Sequence, residues 1–213
     1  MPNKGVFISL EGGEGSGKTT QITKLREMLL LLGHDVIITR EPGGVPEAES
    51  IRNLLVQRDG GQWSAMSEVL LLFAARSMHI EKLILPALDA GKIVICDRFT
   101  DSTIAYQGYG RGLNINKIRE IERLSIDDFT PDLTFILDID ARAGLARSNA
   151  RLMAENNTED RFERMDMDFH EKLRKGFLEI ARNNDARCHI INAAQSIDEI
   201  FSEIKNITLA KLG

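Results

Sequence analysis

The sequence has few cysteines and no long apolar run, and each shortage excludes a class of protein. Cys96 and Cys188 are the only cysteines among 213 residues, and each lies inside an apolar run far from the other. This pattern indicates buried structural thiols in a reducing compartment, not a disulfide framework or a metal centre. No apolar run reaches the roughly 20 residues that a membrane-spanning helix needs.

The sequence also has no excess of positive charge, since 32 acidic residues against 27 lysines and arginines give a formal net charge of -5. A chain of this charge lacks the basic face that nonspecific binding to nucleic acid or anionic lipid requires. Met1–Lys4 lead directly into a strand-like run, so we expect no signal peptide. We therefore expect a cytoplasmic protein that binds neither nucleic acid nor membrane. The length favours one α/β domain over residues 1–213.

The most informative stretch is a glycine-rich turn, GGEGSGKT, which fits the phosphate-binding P-loop pattern Gly-x-x-x-x-Gly-Lys-Thr. An apolar run of strand type precedes it, and an amphipathic helical pattern follows it. Such a loop points backbone N–H groups at phosphate oxygens, and the helix N-terminus adds partial positive charge. Lys18 is expected to reach the outer phosphates and the Thr19 hydroxyl to ligate Mg²⁺. The residues expected at the phosphates are Gly12, Gly13, Glu14, Gly15, Ser16, Gly17, Lys18, Thr19 and Thr20.

Strand-like runs alternate with helical patterns along the rest of the chain. The later strands are predicted at residues 35–40, 92–97, 133–138 and 188–192. Helices are predicted at 47–58, at 67–88 with a kink or end at Pro86, and from Ser196 onward. The alternation predicts an α/β P-loop NTPase fold, in which helices flank a five-stranded parallel sheet. Ligands of such sheets bind at the carboxyl ends of the strands.

Residues 147–164 interrupt this alternation with a polar stretch that carries Arg147, Arg151, Arg161 and Arg164. We interpret the stretch as a helical segment broken by a mobile polar loop, which forms a lid over the phosphates. A solvated surface loop is the alternative.

Charged residues at strand ends are candidates for the chemistry. Asp97 closes one predicted strand and is suited to orient Mg²⁺, although Asp138 closes another and competes for that role. Arg98 follows Asp97, which suits a phosphate held beside a metal; a structural ion pair is the alternative. Arg40 and Arg76 are further cations near the same edge, and their planar guanidinium groups suit phosphate.

Phe73 lies one helical turn before Arg76, so the ring and the guanidinium share a helix face. An aromatic ring beside a hydrogen-bond donor suits a nucleobase with a carbonyl edge. Core packing is the alternative for Phe73, because three leucines precede it.

Three segments, TREPGG at 39–44, LFAAR at 72–76 and DRFTDSTIAYQG at 97–108, together resemble thymidylate kinases. The resemblance runs from the P-loop through the C-terminal helix. Thymidylate kinases transfer the γ-phosphoryl group of ATP to dTMP in the presence of Mg²⁺. The resemblance therefore implies this activity, dTMP and ATP as partners, Mg²⁺ as cofactor, and a homodimer.

The resemblance also implies roles for the residues that match the family motifs. Phe73 would stack on thymine, and Arg76 would donate to its carbonyl edge. Arg98 and Arg40 would hold the dTMP phosphate, while Tyr106 would crowd the sugar where ribose has its 2′-hydroxyl. The implied substrate-binding residues are Arg40, Glu41, Phe73, Arg76, Arg98, Ser102, Thr103, Tyr106 and Gln107.

Members of the family take a catalytic arginine either from the P-loop or from the lid. This P-loop contains no arginine, so the chain resembles the bacterial group with lid arginines, and DRFE at 160–163 matches that group's lid border. Arg151 or Arg161 would be the catalytic cation, with Arg147 contacting ATP. The other residues implied in catalysis are Lys18, Arg98, Asp97 and Glu14. Of these, Glu14 would approach either the 3′-hydroxyl of the acceptor or Arg98.

Three other functions fit the sequence less well. A P-loop GTPase would need Asn-Lys-x-Asp, and the nearest string, at 116–119, ends in arginine. An ATP-driven switch or motor would need partner-binding extensions or a basic track. A nucleoside kinase would not need both Arg40 and Arg98, because its acceptor carries no phosphate.

Overall fold

A five-stranded parallel sheet forms the centre of the protein, in the order β2-β3-β1-β4-β5. The structure, a computed structural model, describes residues 5–57, 61–155 and 160–213. The strands are β1 (Val6–Glu11), β2 (Val36–Arg40), β3 (Ile93–Asp97), β4 (Leu133–Asp138) and β5 (Cys188–Asn192). These bounds agree with the predicted strands to within one residue at each end. The predicted fold class is confirmed.

Helices cover both faces of the sheet. They are α1 (Lys18–Leu31), α2 (Pro46–Val56), α3 (Ala65–His79), α4 (Leu85–Asp89), α5 (Thr100–Thr103), α6 (Ile115–Ile126), α7 (Ala141–Glu155), α8 (Met167–Arg182) and α9 (Ile197–Leu212). Two π-helical turns, Ile80–Ile84 and Ile104–Gly110, continue α3 and α5 respectively.

The hydrophobic core is split by the sheet into two layers. Phe7 and Val94 belong to the layer that contains residues of α3, α4, α6 and α8. Ile8 and Ile95 belong to the layer formed with α1 and α9. Successive residues of a strand point to opposite faces, so a strand buried on both faces needs an unbroken apolar run. This requirement explains why the strands could be recognised in the sequence.

The predicted helix over 67–88 is divided ahead of Pro86. It ends as α3 at His79, and a π-helical turn leads into α4, where the Leu85 N–H donates to the Ile80 carbonyl. Proline has no N–H, and its ring crowds the carbonyl four residues earlier. A wider turn before Pro86 relieves that clash, so the helical path continues through the proline instead of ending there.

Two smaller predictions are confirmed. Cys96 and Cys188 are free and buried, and burial raises the pKa of Cys188 to about 12, which keeps the thiol protonated. Ser196 caps α9, with Glu199 completing a reciprocal capping box. In the described ranges, the helices are all too short or too polar to cross a membrane.

The proposed lid segment begins inside a helix. Arg147 and Arg151 lie on α7, whereas residues 156–159 of the predicted polar loop lie outside the described part of the chain. The start of α7 packs tightly on the P-loop, since a Cβ at Gly15 would lie 2.0 Å from the Gly144 carbonyl oxygen. A Cβ at Gly144 would likewise lie 2.4 Å from the Glu14 carbonyl oxygen. Two facing glycines therefore fix this helix against the phosphate-binding loop.

Candidate active site

A cavity of about 650 Å³ opens at the carboxyl edge of the sheet. Its walls come from the P-loop, the ends of β2 and β3, helices α2, α3 and α7, the second π-helical turn and residues 161–163. The strand register explains this convergence, because Arg40 and Leu10 both align with Asp97. The predicted residues that line the cavity are Glu14, Gly15, Ser16, Gly17, Lys18, Thr19, Thr20, Arg40, Glu41, Arg76, Asp97, Arg98, Ser102, Thr103, Tyr106, Gln107, Arg147, Arg151 and Arg161.

The P-loop holds its lysine folded back over the turn. Lys18 Nζ donates to the carbonyl oxygens of Gly12 and Gly13, both at 3.2 Å. Gly17, with φ 94°, caps α1 in the left-handed region that favours glycine. Burial lowers the pKa of Lys18, and the neighbouring charge of Arg98 lowers it further. A phosphate at the helix N-terminus would give this ammonium group an anionic partner.

Gly12 and Gly13 do not line the main cavity. They border a second, small cavity of about 20 Å³ on the other side of the loop. Gly12 has φ 132°, and a Cβ there would lie 2.5 Å from the Leu137 carbonyl oxygen. In this structure these two glycines shape the loop and present their carbonyl groups to Lys18 and Arg98.

Arg98 adopts a backbone conformation that is costly for a residue with a side chain. Its φ of 71° lies in the left-handed region, and residues held in this way cluster at functional sites. The side chain donates to the Gly12 carbonyl at 2.9 Å and to both Glu14 carboxylate oxygens at 3.3 Å. Its guanidinium also lies 4.9 Å from the centre of the Tyr106 ring. Contacts within the protein thus position Arg98 beside the P-loop.

Glu14 completes this cluster, in line with its expected approach to Arg98. Burial acts to raise the pKa of Glu14, but Arg98 and Lys18 outweigh burial and hold the pKa below its usual value. The Tyr106 hydroxyl also donates to Glu14. The carboxylate is therefore kept ionised between two cations.

Glu11, at the end of β1, was not among the predicted residues. It is fully buried and accepts hydrogen bonds from the Phe99 N–H at 2.6 Å and the Ser102 hydroxyl at 2.5 Å. Ser102 in turn accepts from Arg98 at 3.2 Å. Burial, together with the charge of Asp101, raises the pKa of Glu11 to about 8. An acid that closes an apolar strand just before the P-loop was a visible signal in the sequence.

At the far end of the cavity, Arg76 and Gln107 each present one unpaired atom. Arg76 Nε donates to Glu41 at 2.7 Å and Nη2 donates to Thr103 at 3.0 Å. Gln107 Nε2 donates to Glu68 at 2.9 Å. Within the described ranges, Arg76 Nη1 and Gln107 Oε1 are buried without a hydrogen-bond partner. Two residues that line the cavity therefore keep one donor and one acceptor unpaired.

Glu41 orients Arg76 in this arrangement. Its second carboxylate oxygen pairs with His79 Nδ1 at 2.9 Å, and His79 Nε2 contacts the Thr39 hydroxyl at 2.7 Å. Both Glu41 and Arg76 are almost fully buried. The TREP motif therefore contributes the Glu41 carboxylate, which holds the Arg76 guanidinium through its Nε atom.

Phe73 is placed differently from the prediction of a stacking ring. Its side chain is 1% exposed and lies in the core, with the Arg76 guanidinium 4.7 Å from the ring centre. The ring and the guanidinium do share a face, but the ring supports Arg76 from the core side. Leu72, about 100° further round the helix, lines the cavity instead. The core-packing alternative describes the place of Phe73.

Asp97 and Asp138, the two candidates for orienting Mg²⁺, have different surroundings. Asp138 accepts two hydrogen bonds from Arg174, at 2.7 and 2.9 Å, and borders the small second cavity. Asp97 lines the main cavity together with Thr19. A carboxylate and a hydroxyl are oxygen ligands of the type that Mg²⁺ prefers. Over residues 5–57, 61–155 and 160–213, no cluster of three or more His, Cys, Asp or Glu residues could hold a metal by itself.

Three of the four arginines within residues 147–164 line the cavity, and they differ in their contacts. Arg161 donates to the Leu55 carbonyl at 2.8 Å and forms an ion pair with Glu68. Arg147 donates to the Ala193 carbonyl at 3.2 Å. The exposed side chain of Arg151 lines the cavity, and its guanidinium has no partner among the described residues.

The cations near β2 also differ in accessibility. Arg40 lines the cavity and is half exposed, with one salt bridge to Glu49 at 3.2 Å. Arg52, on α2, was not predicted; it lines the cavity and donates to the Pro42 carbonyl at 2.9 Å. Its spacing on a polar helix gave no signal in the sequence.

Comparison with known proteins agrees with this geometry. The family profile described as "Thymidylate kinase" matches residues 10–204. A thymidylate kinase of Caulobacter vibrioides is 48% identical over 210 residues, which is 99% of either chain. One from Syntrophotalea carbinolica is 46% identical over 199 residues, covering 93% of this chain and 92% of the relative.

A solved structure is similar over the same length. The crystal structure of thymidylate kinase from Ehrlichia chaffeensis superposes with a TM-score of 0.77 at 39% identity, covering 96% of this chain and 99% of the other. The similarity thus includes the sheet, the P-loop and the segments that line the cavity. The chain belongs to the thymidylate kinase family, whose members are P-loop phosphotransferases that act on a nucleoside monophosphate.

Proposed function

We propose that the chain transfers the γ-phosphoryl group of ATP to dTMP, with ATP bound at the P-loop and the thymine base at the Arg76 end of the cavity. The observation that supports this most strongly is the pair of unpaired atoms in the cavity wall, Arg76 Nη1 and Gln107 Oε1. Thymine offers a carbonyl acceptor at O4 next to a donor at N3–H. One donor and one acceptor on the protein match that edge.

Cytosine presents the opposite pattern, with an amino donor at C4 and an acceptor at N3. Its binding would set donor against donor at Arg76 and acceptor against acceptor at Gln107. A buried polar group left unpaired costs about 1–3 kcal/mol. The cavity should therefore discriminate against dCMP.

The acceptor phosphate would lie between the base end and the P-loop. Arg98 is already held there, and the exposed guanidinium of Arg40 lines the same cavity. Arginine pairs with phosphate oxygens through two parallel hydrogen bonds. Two such cations favour a monophosphate acceptor over a nucleoside.

Thr19 and Asp97 are the residues that would hold Mg²⁺ with ATP, since both line the cavity beside Lys18. The bound ion would supply charge neutralisation at the phosphates. Lys18 would meet the outer phosphates, and the P-loop N–H groups would receive the rest.

Arg151 is our candidate for the lid cation that stabilises the transferred phosphoryl group. Its guanidinium is uncommitted in the described structure, whereas Arg161 is paired with Glu68. Phosphoryl transfer depends mainly on positioning and charge stabilisation. Arg147, on the same helix, would contact ATP.

The family resemblance also supports a single domain over residues 1–213, a homodimer and a cytoplasmic location. The net charge of -5 supports a partner set of dTMP and ATP without nucleic acid or membrane.

A panel of acceptors tests the proposed function. With ATP and Mg²⁺ in excess, kcat/KM should be high for dTMP, at least about tenfold lower for dCMP, and lowest for thymidine, which lacks the phosphate. Preference for thymidine would favour a nucleoside kinase. Equal efficiency with dTMP and dCMP would contradict the assignment of Arg76 and Gln107 as base readers.

A further inference from the structure

A buried carboxylate in the cavity wall has no part in the function described so far. Glu68 lies in the first turn of α3 and is 0% exposed. Three side chains donate to it: Gln107, Arg111 and Arg161. These donors come from two separate segments, namely the second π-helical turn with the residue after it, and the lid border.

The contact with Gln107 fixes which end of the amide faces the base. The carboxylate accepts from two arginines through one oxygen, so the amide presents its NH₂ group to the other oxygen, Glu68 Oε2, 2.9 Å away. A flipped amide would set its oxygen against the carboxylate. Gln107 lines the cavity, and its Oε1 is buried and unpaired among the described residues, so it is the amide atom left for a ligand.

Two cations hold the carboxylate in this orientation through its other oxygen. Arg111 and Arg161 both pair with Glu68 Oε1, which leaves Oε2 for Gln107. Both arginines are anchored in turn on backbone carbonyls, Arg111 on Trp63 at 3.1 Å and Arg161 on Leu55 at 2.8 Å. Glu68 is therefore held through both carboxylate oxygens, by two anchored arginines at Oε1 and by Gln107 at Oε2.

We propose that Glu68 is a positioning residue for base selection: its carboxylate fixes the Gln107 amide with the oxygen towards the cavity, so that the site takes pyrimidines that carry N3–H. This inference rests on the proposed function, since it names the residue that orients one of its two base readers. Thymine and uracil carry N3–H and satisfy Gln107 Oε1. Cytosine carries an N3 acceptor and leaves it unpaired.

The substitution Glu68→Gln tests this role because it keeps size and shape but lets the facing amides pair in either orientation. We expect the ratio of kcat/KM for dTMP to that for dCMP to fall about tenfold or more. The ratio for dTMP against dUMP should stay within about twofold, since both bases carry N3–H. The matched control is Glu122→Gln, which neutralises a buried carboxylate paired with Arg119 on α6, away from the cavity.

A reciprocal exchange, Glu68→Gln with Gln107→Glu, separates orientation from packing. The amide introduced at position 68 would donate to the carboxylate introduced at 107, whose second oxygen again faces the base as an acceptor. The exchange should restore the dTMP preference lost in the single variant. A purely structural role would not be rescued in this way.

The outcomes are distinguishable. If the wild-type chain fails to phosphorylate dTMP, the proposed function itself is wrong. If the wild type is active and folded Glu68→Gln keeps the wild-type dTMP to dCMP ratio, only the role of Glu68 is wrong. If the single variant does not fold, the exchange decides, and a folded exchange without dTMP preference overturns the proposal. Failure of both to fold would assign Glu68 a structural role and overturn it as well.

Discussion

Arg98 and Lys18 lie in the same cluster, but their partners differ. Lys18 contacts the P-loop carbonyls, whereas Arg98 bridges from Gly12 and Glu14 of the P-loop to Ser102. Loss of a cation that contacts the donor phosphates should slow transfer to every acceptor. Loss of a cation that contacts the acceptor phosphate should slow transfer only to acceptors that carry a phosphate.

We therefore expect Lys18→Ala to lower kcat with every acceptor. Arg98→Ala should raise KM for dTMP as well as lower kcat, with a total loss of about 2–5 kcal/mol, because it leaves Glu14 partly buried without its cation. Steady-state kinetics with dTMP and with thymidine, which lacks the phosphate, separate the two effects, and Arg26→Ala, an exposed cation on α1, is the control. Wild-type kinetics in Arg98→Ala would remove this residue from the site.

Glu11 gives the protein a predicted dependence of stability on pH. Its ordinary pKa of 4.5 is raised by burial to about 8 in the folded protein. Between these values the folded state holds a proton that the unfolded chain has released, so stability should fall as pH rises from about 4.5 towards 8. One such proton changes the unfolding free energy by at most about 1.4 kcal/mol per pH unit.

Urea unfolding at several pH values between 5 and 8 measures this slope. In Glu11→Gln the contribution should be absent, so the difference from wild type should change steadily with pH. Glu27→Gln, an exposed carboxylate on α1, should leave the difference constant. Parallel profiles for wild type and Glu11→Gln would show that Glu11 does not hold the proton.

Individual side chains mark the limit of what the sequence predicts. The helical spacing of Phe73 and Arg76 correctly placed them on one face, but which face looks into the cavity depends on how α3 packs on the sheet. Glu68 pairs with Arg161, 93 residues away, and no local pattern connects them. Residues of a sequence motif are predictable because a local backbone geometry requires them. Partners that are distant in sequence, such as Glu68 and Arg161, are not predictable in this way.

At the scale of elements, α7 packs on the P-loop and carries two of the lid arginines. Its first turn packs on the P-loop through Gly144, and Arg147 and Arg151 follow on the next two turns. A helix rises about 1.5 Å per residue, so these guanidinium groups extend along the cavity from the phosphate end. Arg161 instead reaches the base end through Glu68.

This difference predicts separate effects for the two arginines. Arg151→Ala should cut kcat by about 10³-fold or more, the range for a supplied arginine in phosphoryl transfer, with little change in substrate binding. Arg161→Ala should mainly raise KM for dTMP, because it releases one anchor of Glu68. Single-turnover transfer at saturating substrates separates the two effects, with Arg142→Ala, exposed on the same helix, as control. Near wild-type rates in Arg151→Ala would mean that the lid does not supply the cation.

The elements themselves were predictable because their requirements are local. Strands buried on both faces need unbroken apolar runs, and α9 begins at a capping box that is visible as SIDE in the sequence. The path of the chain through Pro86 was not predictable. It depends on a π-helical turn that the core around Ile80 and Ile84 accommodates.

At the scale of the whole molecule, parallel strands bring the separate motifs to one edge. The P-loop, Arg40 and Asp97 are distant in sequence but meet because β1, β2 and β3 are neighbours in register. The resulting cavity has phosphate-binding backbone at one end and a donor–acceptor pair at the other. This arrangement suits a nucleoside triphosphate and a nucleoside monophosphate that enter from opposite ends, so that their phosphates meet inside the cavity.

The most direct test of that arrangement follows the transferred group itself. ATP labelled in the γ-phosphoryl group is mixed with the protein, Mg²⁺ and dTMP, and the labelled products are separated. We predict that the label appears in dTDP, at a rate that falls to background when dTMP is omitted. Release of the label as inorganic phosphate, at the same rate with or without dTMP, would show an ATP-hydrolysing switch and contradict the account.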